Sequence, residues 1–514
     1  MSQKEDWKFL LVLVLTGGGL FELLSMAWPV GPGVDFQAYL YSYWRLTPES
    51  VLFRAVGAAT LIGWLAEAGL VWMHVILLSS YLLTIVAVHR IGCFYSPMVA
   101  RTVTFLYVLH VQVSHRLHHL DADSLLIPAM ILWVLTVLTT ERLRHVAATL
   151  IPGVMVAAMA AIKPNMVIFG ISAIYPVVCD GWNRRNLLRV LYFLIGFGCG
   201  IGGLLGYNHS VSGQWLLVAD ANHLFPGFNV FMVNPMLSRE QGPENRTLYA
   251  LVEQQVLSRK PYVELGITAD QFFTAQDPRM WPDLEYVDWV HAPGIIKRAS
   301  WEAIAAQPKR FLIWSVLSGH YRTLTHSHIV PLESKTAYGA NSGQASTPAE
   351  SGGPTSSVAS TPTPTAQIRI PYSFSSTREM LSFYGGPRST KDEERIAAIR
   401  EKVKKRILDL TTSVNRERAF YPALLTNDLL SRLVPPMLFF ALLATGLLIR
   451  IKHKEIRLLI CLLMPALGVV FSSALLRPQA RYRLPFDFLL ILSGVIALIG
   501  TSSTPMKKVR HDPA

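Results

Sequence analysis

The chain has 514 residues, of which 51% are hydrophobic and only 16% are charged. Its formal net charge of +13 comes from Lys and Arg in short loops between apolar runs, a pattern of membrane topology rather than nucleic-acid binding. Spanning a hydrocarbon core of about 30 Å takes roughly 17–25 apolar residues, and about ten such runs occur. The composition therefore predicts an all-α polytopic membrane protein with no nucleic-acid partner.

The predicted transmembrane helices follow one another with alternating basic and non-basic connections. They lie near residues 9–28, 69–88, 98–114, 124–140, 146–162, 165–180, 188–207, 433–450, 456–475 and 484–501. The basic connections are assigned to the cytoplasm, which places both termini there. The first run has no clear small-residue cleavage site and is long enough to span, so we expect a retained helix rather than a signal peptide.

Two further apolar segments, 51–66 and 310–324, are predicted to lie in the membrane interface. Counting either one alone as a span would invert every later loop and put the basic "IKHKEIR" segment on the wrong side. Their Arg, Lys and Trp residues suit the headgroup layer.

The spans divide the chain into three regions. Residues 1–207 form an N-terminal transmembrane module, 208–432 a large extracytoplasmic loop region, and 433–514 a C-terminal transmembrane module with a cytoplasmic tail. Within the loop region, the Ser/Thr/Pro/Gly-rich tract 337–366 is predicted to be flexible. Residues 390–410 are predicted to form an amphipathic helix. Its apolar stripe comprises Ile396, Ile399, Val403, Ile407 and Leu410.

Four short polar segments fall on the extracytoplasmic side, at 31–46, 115–123, 162–165 and 476–485. The basic residues of these segments lie on the side where the positive-inside rule predicts few of them, so their presence calls for an explanation. One reason is an anionic lipid phosphate, because Arg binds phosphate bidentately and Lys acts as a point charge. The other is that long basic side chains anchor helix ends at the interface. The residues in question are Lys163, Arg477, Arg481 and Arg483.

Asp35 lies in a turn just beyond the first span, ahead of the aromatic residues Tyr39, Tyr43 and Trp44. A carboxylate in a dry, aromatic-lined pocket can have its pKa raised toward the range of a general base, with the aromatic side chains lining an acceptor cleft. Alternatively, Asp35 caps the helix that follows it.

The segment "HRLHHLDAD" concentrates His115, His118, His119, Asp121 and Asp123 in nine residues. Imidazole and carboxylate ligands suit Zn or Mn, so His115, His119 and Asp121 are a possible metal set. His115 and His119 share a helical face at i, i+4, but the aspartates would diverge from it. The alternative is that the histidines line a cleft, and no cofactor is certain.

The order of these motifs resembles the GT-C superfamily of membrane glycosyltransferases, of the protein-mannosyltransferase and aminoarabinose-transferase type. An acid follows the first span, a "DSLL" turn ends the third, "KP" follows the fifth, and "RYRLP" opens the last. The resemblance covers roughly residues 1–210 and 430–501. It implies a GT-C-like fold that transfers a sugar, with inversion, from a polyprenyl-phosphate donor to a glycan, lipid or protein acceptor, as in cell-envelope glycan biosynthesis.

The resemblance also implies roles for particular residues. Asp35 matches the first-loop catalytic base, and Asp123, supported by Asp121, matches the second-loop acid. Lys163, Arg481 and Arg483, with Arg477 beside them, match positions that meet the lipid phosphate. His118 and His119 would line the cleft with the aromatic residues. Many members carry a tandem acidic pair where Asp35 stands alone here, so the resemblance implies the general class rather than protein mannosyl transfer.

Two other functions remain open. A transporter or flippase for a lipid-linked glycan would need inverted repeats and broken spans, and a glycine run in the seventh span is the one hint of these. A polysaccharide polymerase or ligase would also act on the extracytoplasmic side and use a lipid-linked substrate.

The four cysteines show no disulfide framework or metal spacing. With the short loops, this favours a bacterial inner membrane whose site faces the periplasm or exterior. The triplets at Asn208 and Asn245 fit N-glycosylation sequons.

Overall fold

The computed structural model is almost entirely helical. It describes residues 3–33, 36–143, 145–218, 226–259, 262–275, 280–292, 294–318, 321, 390–413, 421–435, 438, 461–470 and 483–499. Four helices are long and apolar enough to cross a membrane, namely Asp6–Ser25, Leu70–Cys93, Ala122–Leu143 and Arg184–Ser212. The fold is therefore compatible with the all-α membrane protein that the composition predicts.

The N-terminal helices pack around one extended hydrophobic core. In chain order the α-helices are Gln3–Ser25, Phe36–Tyr43, Val56–Ala68, Leu70–Cys93, Pro97–Leu109, Val111–Leu117, Ala122–Leu143, Leu150–Ile162, Tyr175–Asp180 and Arg184–Ser212. Turns of 3-10 helix lie at Pro48–Leu52, Val146–Thr149 and Pro164–Ile174. Near the C-terminus, Leu484–Phe486 and the helix Asp487–Ile499 join this core.

One predicted span is interrupted in the structure, and two others keep the bounds that the sequence predicted. The segment predicted at 98–114 is interrupted at His110, whose backbone (φ −77°, ψ 72°) ends the helix Pro97–Leu109. That helix has 13 residues and rises about 20 Å, less than the hydrocarbon thickness of about 30 Å. The predicted spans 146–162 and 165–180 are helical throughout, as Val146–Ile162 and Pro164–Asp180. Of the predicted span 456–475 the structure describes Cys461–Val470, which is helical, and the apolar helix Leu484–Ile496 lies within the predicted span 484–501. Nearly all of the predicted span 433–450 lies outside the described residues.

The two segments predicted to be interfacial form short helices with exposed apolar side chains. Val56–Ala68 has 13 residues and would rise only about 20 Å, and its Trp64 is 67% exposed. In the second segment the helical turns Pro308–Arg310 and Phe311–Leu317 leave Trp314 59% exposed. Val56–Ala68 is therefore too short to cross a bilayer, and the second segment is described only as far as residue 318 and at Tyr321.

A two-stranded parallel ladder joins the two predicted extracytoplasmic turns of the N-terminal module. Strand Gly31–Pro32 pairs with His119–Leu120, with Gly31 opposite His119. Gly33 continues the contact, since its amide donates to the Leu120 carbonyl at 3.1 Å. A Cβ at Gly33 would lie 2.8 Å from that carbonyl oxygen, so only glycine permits this approach. The ladder therefore fixes the turn that leads to Asp35 against the turn that carries Asp121.

The described residues between 226 and 317 fold around a second hydrophobic core, in a region for which the sequence predicted no fold. The α-helices are Pro243–Val252, Tyr262–Leu265, Ala269–Thr274, Trp281–Tyr286, Ile295–Ala306 and Pro308–Arg310. Short 3-10 or π-helical turns connect them at Asn229–Val233, Arg239–Gln241, Glu253–Leu257, Val287–His291 and Phe311–Leu317. Aromatic side chains dominate the core, including Phe231, Tyr249, Phe272, Phe273 and Trp281.

The predicted amphipathic stretch forms the helix Thr390–Ser413, which packs onto the first of the two predicted extracytoplasmic turns. Its stripe residues Ile396, Val403 and Leu410 are buried. A further helix, Tyr421–Leu433, packs on the first and sixth helices of the N-terminal bundle. The predicted flexible tract 337–366 lies outside the described residues.

Candidate functional site: an ion-pair cluster beneath the paired turns

Asp121 caps the helix Ala122–Leu143 and thereby fixes the second turn. Its Oδ1 accepts the amides of Asp123 and Ser124 at 3.0 and 3.1 Å. In return the Ser124 hydroxyl accepts the Asp121 amide at 3.1 Å. This reciprocal arrangement satisfies backbone donors that the first helical turn leaves without partners. Asp121 therefore has a structural task, which is to hold Asp123 at the N-terminus of a long helix.

The second Asp121 oxygen and the Asp123 carboxylate belong to one buried ion-pair cluster. The Arg116 guanidinium donates to Asp121 Oδ2 and lies 3.3 Å from Asp123 Oδ2. The Lys163 ammonium donates to Asp123 Oδ1. The side chains of Arg116, Asp121 and Asp123 are at most 7% exposed. We refer to these four residues as the acid–base cluster.

Three of its members come from separate parts of the bundle. Arg116 lies in the helix Val111–Leu117, Asp123 opens the helix Ala122–Leu143, and Lys163 directly follows the helix Leu150–Ile162. Of the predicted site residues, Asp121, Asp123 and Lys163 are therefore brought together. Lys163 contacts a carboxylate here, so an incoming anionic group would compete with Asp123 for it.

The three histidines pack against aromatic side chains. His118 is fully buried and lies edge-on to Phe21, with ring centroids 4.2 Å apart. His115 packs edge-on to Trp28 and to His119, at 4.9 and 5.2 Å. Burial is the main reason that the pKa of His118 falls to about 3, with repulsion from His119 adding to it. Burial, and to a smaller extent the positive charge of Arg116, lowers the pKa of His119 to about 4. Both imidazoles are thus neutral at pH 7.

The suggested metal set of His115, His119 and Asp121 does not form a compact ligand group among the described residues. The group of three whose ligand atoms lie within 4.8 Å of one another is Asp6, His89 and Cys93. Asp6 in that group already accepts two hydrogen bonds from Arg101, at 2.9 and 2.6 Å.

Arg483 forms a second buried cluster with residues that the sequence did not single out. Its Nε donates to Asp487 Oδ1 at 2.8 Å, and His110 Nε2 lies 2.8 Å from Asp487 Oδ2. All three side chains are at most 1% exposed. His110 is also the residue at which the helix Pro97–Leu109 ends. A predicted phosphate-binding arginine is therefore paired with an internal carboxylate.

The predicted cleft aromatics lie next to the amphipathic helix Thr390–Ser413. Tyr39 is buried at 6% exposure. The Tyr43 hydroxyl and the Trp44 indole each donate to one oxygen of Glu67, both at 3.0 Å. Burial and the Glu67 carboxylate both raise the pKa of Tyr43, so its hydroxyl keeps its proton. The Lys402 ammonium lies 4.3 Å from the centroid of the Trp44 ring system.

The remaining predicted residues, Asp35, Arg477 and Arg481, lie outside the described residues. No protein-family model, curated protein or solved structure matches this chain. The candidate site therefore has to be judged on its own chemistry.

Sequence reasoning overlooked Arg116, His110, Asp487 and Glu67. Arg116 was visible as a basic residue five positions before Asp121, in a segment that the sequence predicted to be a turn. Asp487 was visible as an acid inside a predicted span, where ionisable residues are costly. Glu67 offered no signal, because a single Glu at the end of an apolar helix is common.

Proposed function

We propose that the chain is a GT-C-type glycosyltransferase of a bacterial inner membrane, with its site on the periplasmic or exterior face. It moves a sugar from a polyprenyl-phosphate donor to an extracytoplasmic acceptor with inversion. The observation that supports this most directly is the acid–base cluster, buried beneath the strand pair that joins the Asp35 turn to the Asp121 turn.

The chemistry requires a base near the acceptor hydroxyl and positive charge near the leaving phosphate. Asp35 follows Gly33 by two residues, a chain length of at most about 7 Å. The Gly33 amide in turn donates to the Leu120 carbonyl, and a Cβ at Gly33 would lie 3.0 Å from the Asp121 Cβ. In the proposal, Asp35 takes the proton from the acceptor hydroxyl as its oxygen attacks the anomeric carbon, and the glycosidic bond to phosphate breaks.

The cations divide into two roles in the proposal. Lys163, with Arg477 and Arg481, stabilises the leaving phosphate, and Asp123 orients Lys163 through their ion pair. The buried pairing of Arg483 with Asp487 favours an anchoring role for Arg483 at the start of the last helix. Arg116 and Asp121 position Asp123 and do not need to touch the substrate.

The transporter alternative gains no support from the glycine run that suggested it. The helix Arg184–Ser212 continues unbroken for 29 residues through Gly198, Gly200, Gly202 and Gly203. Transporter sites are typically built from interrupted helices. Gly153 and Gly196 instead allow close contact between this helix and Leu150–Ile162, as small residues do in membrane bundles.

Asp35→Asn tests the proposal in the purified full chain. Mass spectrometry of co-purified lipid identifies the donor, and turnover and donor binding are then measured with that lipid. We expect turnover to fall by roughly 10²–10⁴-fold, the usual contribution of a general base, with donor binding unchanged. The control is Asp428→Asn, a carboxyl 49% exposed in a surface ion pair. Wild-type turnover in Asp35→Asn, or lipid translocation without sugar transfer, would contradict the proposal.

A further inference from the structure

A pocket lined by charged side chains and by Trp44 lies between the first extracytoplasmic turn and the amphipathic helix Thr390–Ser413. Its volume is about 240 Å³. The lining residues are Trp44, Glu67, Lys402, Lys405, Arg406 and Asp409. The pocket is smaller than the roughly 300–1,000 Å³ of sites for drug-sized ligands, a size that suits one sugar ring.

The walls of the pocket are fixed by specific contacts. Glu67 is held by the Tyr43 hydroxyl and the Trp44 indole. Arg406 donates from Nε to the Ala66 carbonyl at 2.7 Å and from Nη2 to the Glu67 carbonyl at 2.9 Å. These carbonyls belong to the end of the helix Val56–Ala68, so Arg406 clamps the amphipathic helix to it.

A residue with strained backbone lies directly beside the pocket. Arg45, directly after Trp44, is the non-glycine residue with positive φ (50°) among the described residues. Its guanidinium donates to the Tyr207 hydroxyl at 3.0 Å, which ties this turn to the helix Arg184–Ser212. Strained backbone of this kind is retained only when the surrounding structure enforces it, and it clusters at ligand sites.

The charge of the pocket favours an anionic ligand. Three of its lining residues are basic and two are acidic. Both Glu67 oxygens already accept hydrogen bonds from the protein, which leaves this carboxylate less able to bind a ligand hydroxyl. Lys402 and Lys405 are exposed on the helix surface and provide ammonium donors.

The position of the pocket favours a glycan over a membrane lipid. The apolar stripe of the amphipathic helix is buried against protein at Ile396, Val403 and Leu410, so this face does not insert into a bilayer. The pocket borders Trp44, at the end of the helix Phe36–Tyr43 that starts directly after Asp35. Eight residues of helix rise about 12 Å. Reacting atoms approach to about 3–3.5 Å, so the pocket lies beyond the reacting sugar.

We propose that this pocket is an acceptor subsite that binds an acidic sugar residue one or more units away from the residue that receives the transferred sugar. The inference rests on the proposed glycosyltransferase function and narrows its acceptor to an acidic glycan. Lys405 binds the sugar carboxylate, and Lys402, whose ammonium lies 4.3 Å from the centroid of the Trp44 ring system, adds positive charge at the wall formed by Trp44 and Glu67.

The test measures binding by calorimetry on the full chain in phosphatidylcholine nanodiscs. The probe is an α-1,4-linked galacturonic acid trisaccharide, and its neutral counterpart is the galactose trisaccharide of the same linkage. Removing one charged hydrogen-bond donor with Lys405→Ala should weaken binding of the acidic trisaccharide roughly tenfold. Lys404→Ala is the matched control, because Lys404 is exposed on the same helix but is not a lining residue.

Three results would overturn the inference. They are no binding of the acidic trisaccharide at millimolar concentration, equal binding of the neutral one, or equal effects of Lys405→Ala and Lys404→Ala. Displacement of the trisaccharide by phosphatidylglycerol in the nanodisc, with the displacement lost in Lys405→Ala, would make the pocket a lipid headgroup site and also overturn it. Asp35→Asn should bind the trisaccharide normally. If Asp35→Asn loses turnover while Lys405→Ala binds normally, the subsite fails and the proposed function survives.

Discussion

Removing the Arg116 guanidinium should destabilise the protein strongly, because it would leave buried carboxylates without their counter-charge. The side chains of Arg116 and Asp121 are 2% and 4% exposed. Breaking a buried ion pair by deleting one partner costs about 3–5 kcal/mol. In Arg116→Met the new side chain fills much of the same volume, so the loss reports charge rather than a cavity. Asp123 keeps its contact with Lys163, which leaves Asp121 as the affected carboxylate.

A second substitution should recover part of this loss. Asp121→Ser removes the carboxylate but keeps a side-chain oxygen that can cap the helix, since Ser is among the preferred N-cap residues. By itself this change also breaks the buried pair. The double variant Arg116→Met/Asp121→Ser removes both charges and retains the cap. Its destabilisation should therefore be smaller than the sum of the two single effects by about 2 kcal/mol or more.

Thermal unfolding of the purified full chain, followed by intrinsic fluorescence in one detergent at fixed pH, measures these differences. At roughly 2 °C per kcal/mol, Arg116→Met should lower Tm by about 6–10 °C. The matched control is the exposed i, i+4 pair Arg432 and Asp428, whose side chains are 78% and 49% exposed. Its coupling energy should stay below about 1 kcal/mol. Strictly additive losses at Arg116 and Asp121 would refute the argument that they form a buried, charged pair.

Three further predictions concern other buried polar groups. The pKa of His118 is about 3 in the folded protein and about 6.5 in the unfolded chain. The neutral His118 side chain therefore contributes fully to stability above pH 6.5, and this contribution is lost progressively as the pH falls toward 3. His118→Phe should therefore reduce the stability lost between pH 7 and pH 5 by about 2 kcal/mol, and an unchanged pH profile of Tm would contradict this. Asp487→Asn removes the carboxylate beside the buried Arg483 guanidinium and should cost about 3–5 kcal/mol; Arg483→Met/Asp487→Asn should lose less in the same unfolding assay, and an equal loss would count against the pairing. Asn245 is fully buried and donates to the Ala299 carbonyl at 2.8 Å. Glycopeptide mass spectrometry after expression in a glycosylating host should therefore find the sequon at Asn245 unmodified. A glycan on Asn245 would contradict its burial.

The sequence was informative wherever a property depends on neighbours along the chain. Long apolar runs predict membrane helices because such runs can be buried only in lipid or against one another, and four helices have the required length and composition. The same local logic applies to the stripe at 390–410, whose spacing of three and four residues places one apolar face on a helix. The helix Thr390–Ser413 has that face buried at Ile396, Val403 and Leu410.

Predictions from local sequence pattern failed where contacts between distant parts of the chain determine the structure. The apolar run at 98–114 gave no sign of the break at His110, because the break is accompanied by contact with Asp487, which lies 377 residues away along the chain. Asp123 and Lys163, 40 residues apart, were both recognised as candidates, but nothing in the sequence indicated that they form a pair.

The sequence by itself determined the helical, membrane-compatible character of the chain and the segments that carry ionisable groups at helix ends. Only the tertiary structure decided which charges meet. Arg116 joins Asp121, Lys163 joins Asp123, and Arg483 joins Asp487. The physical reason is that hydrophobic burial depends on the apolar content of a segment. An ion pair, in contrast, depends on the distance between two side chains that separate elements must bring within about 4 Å.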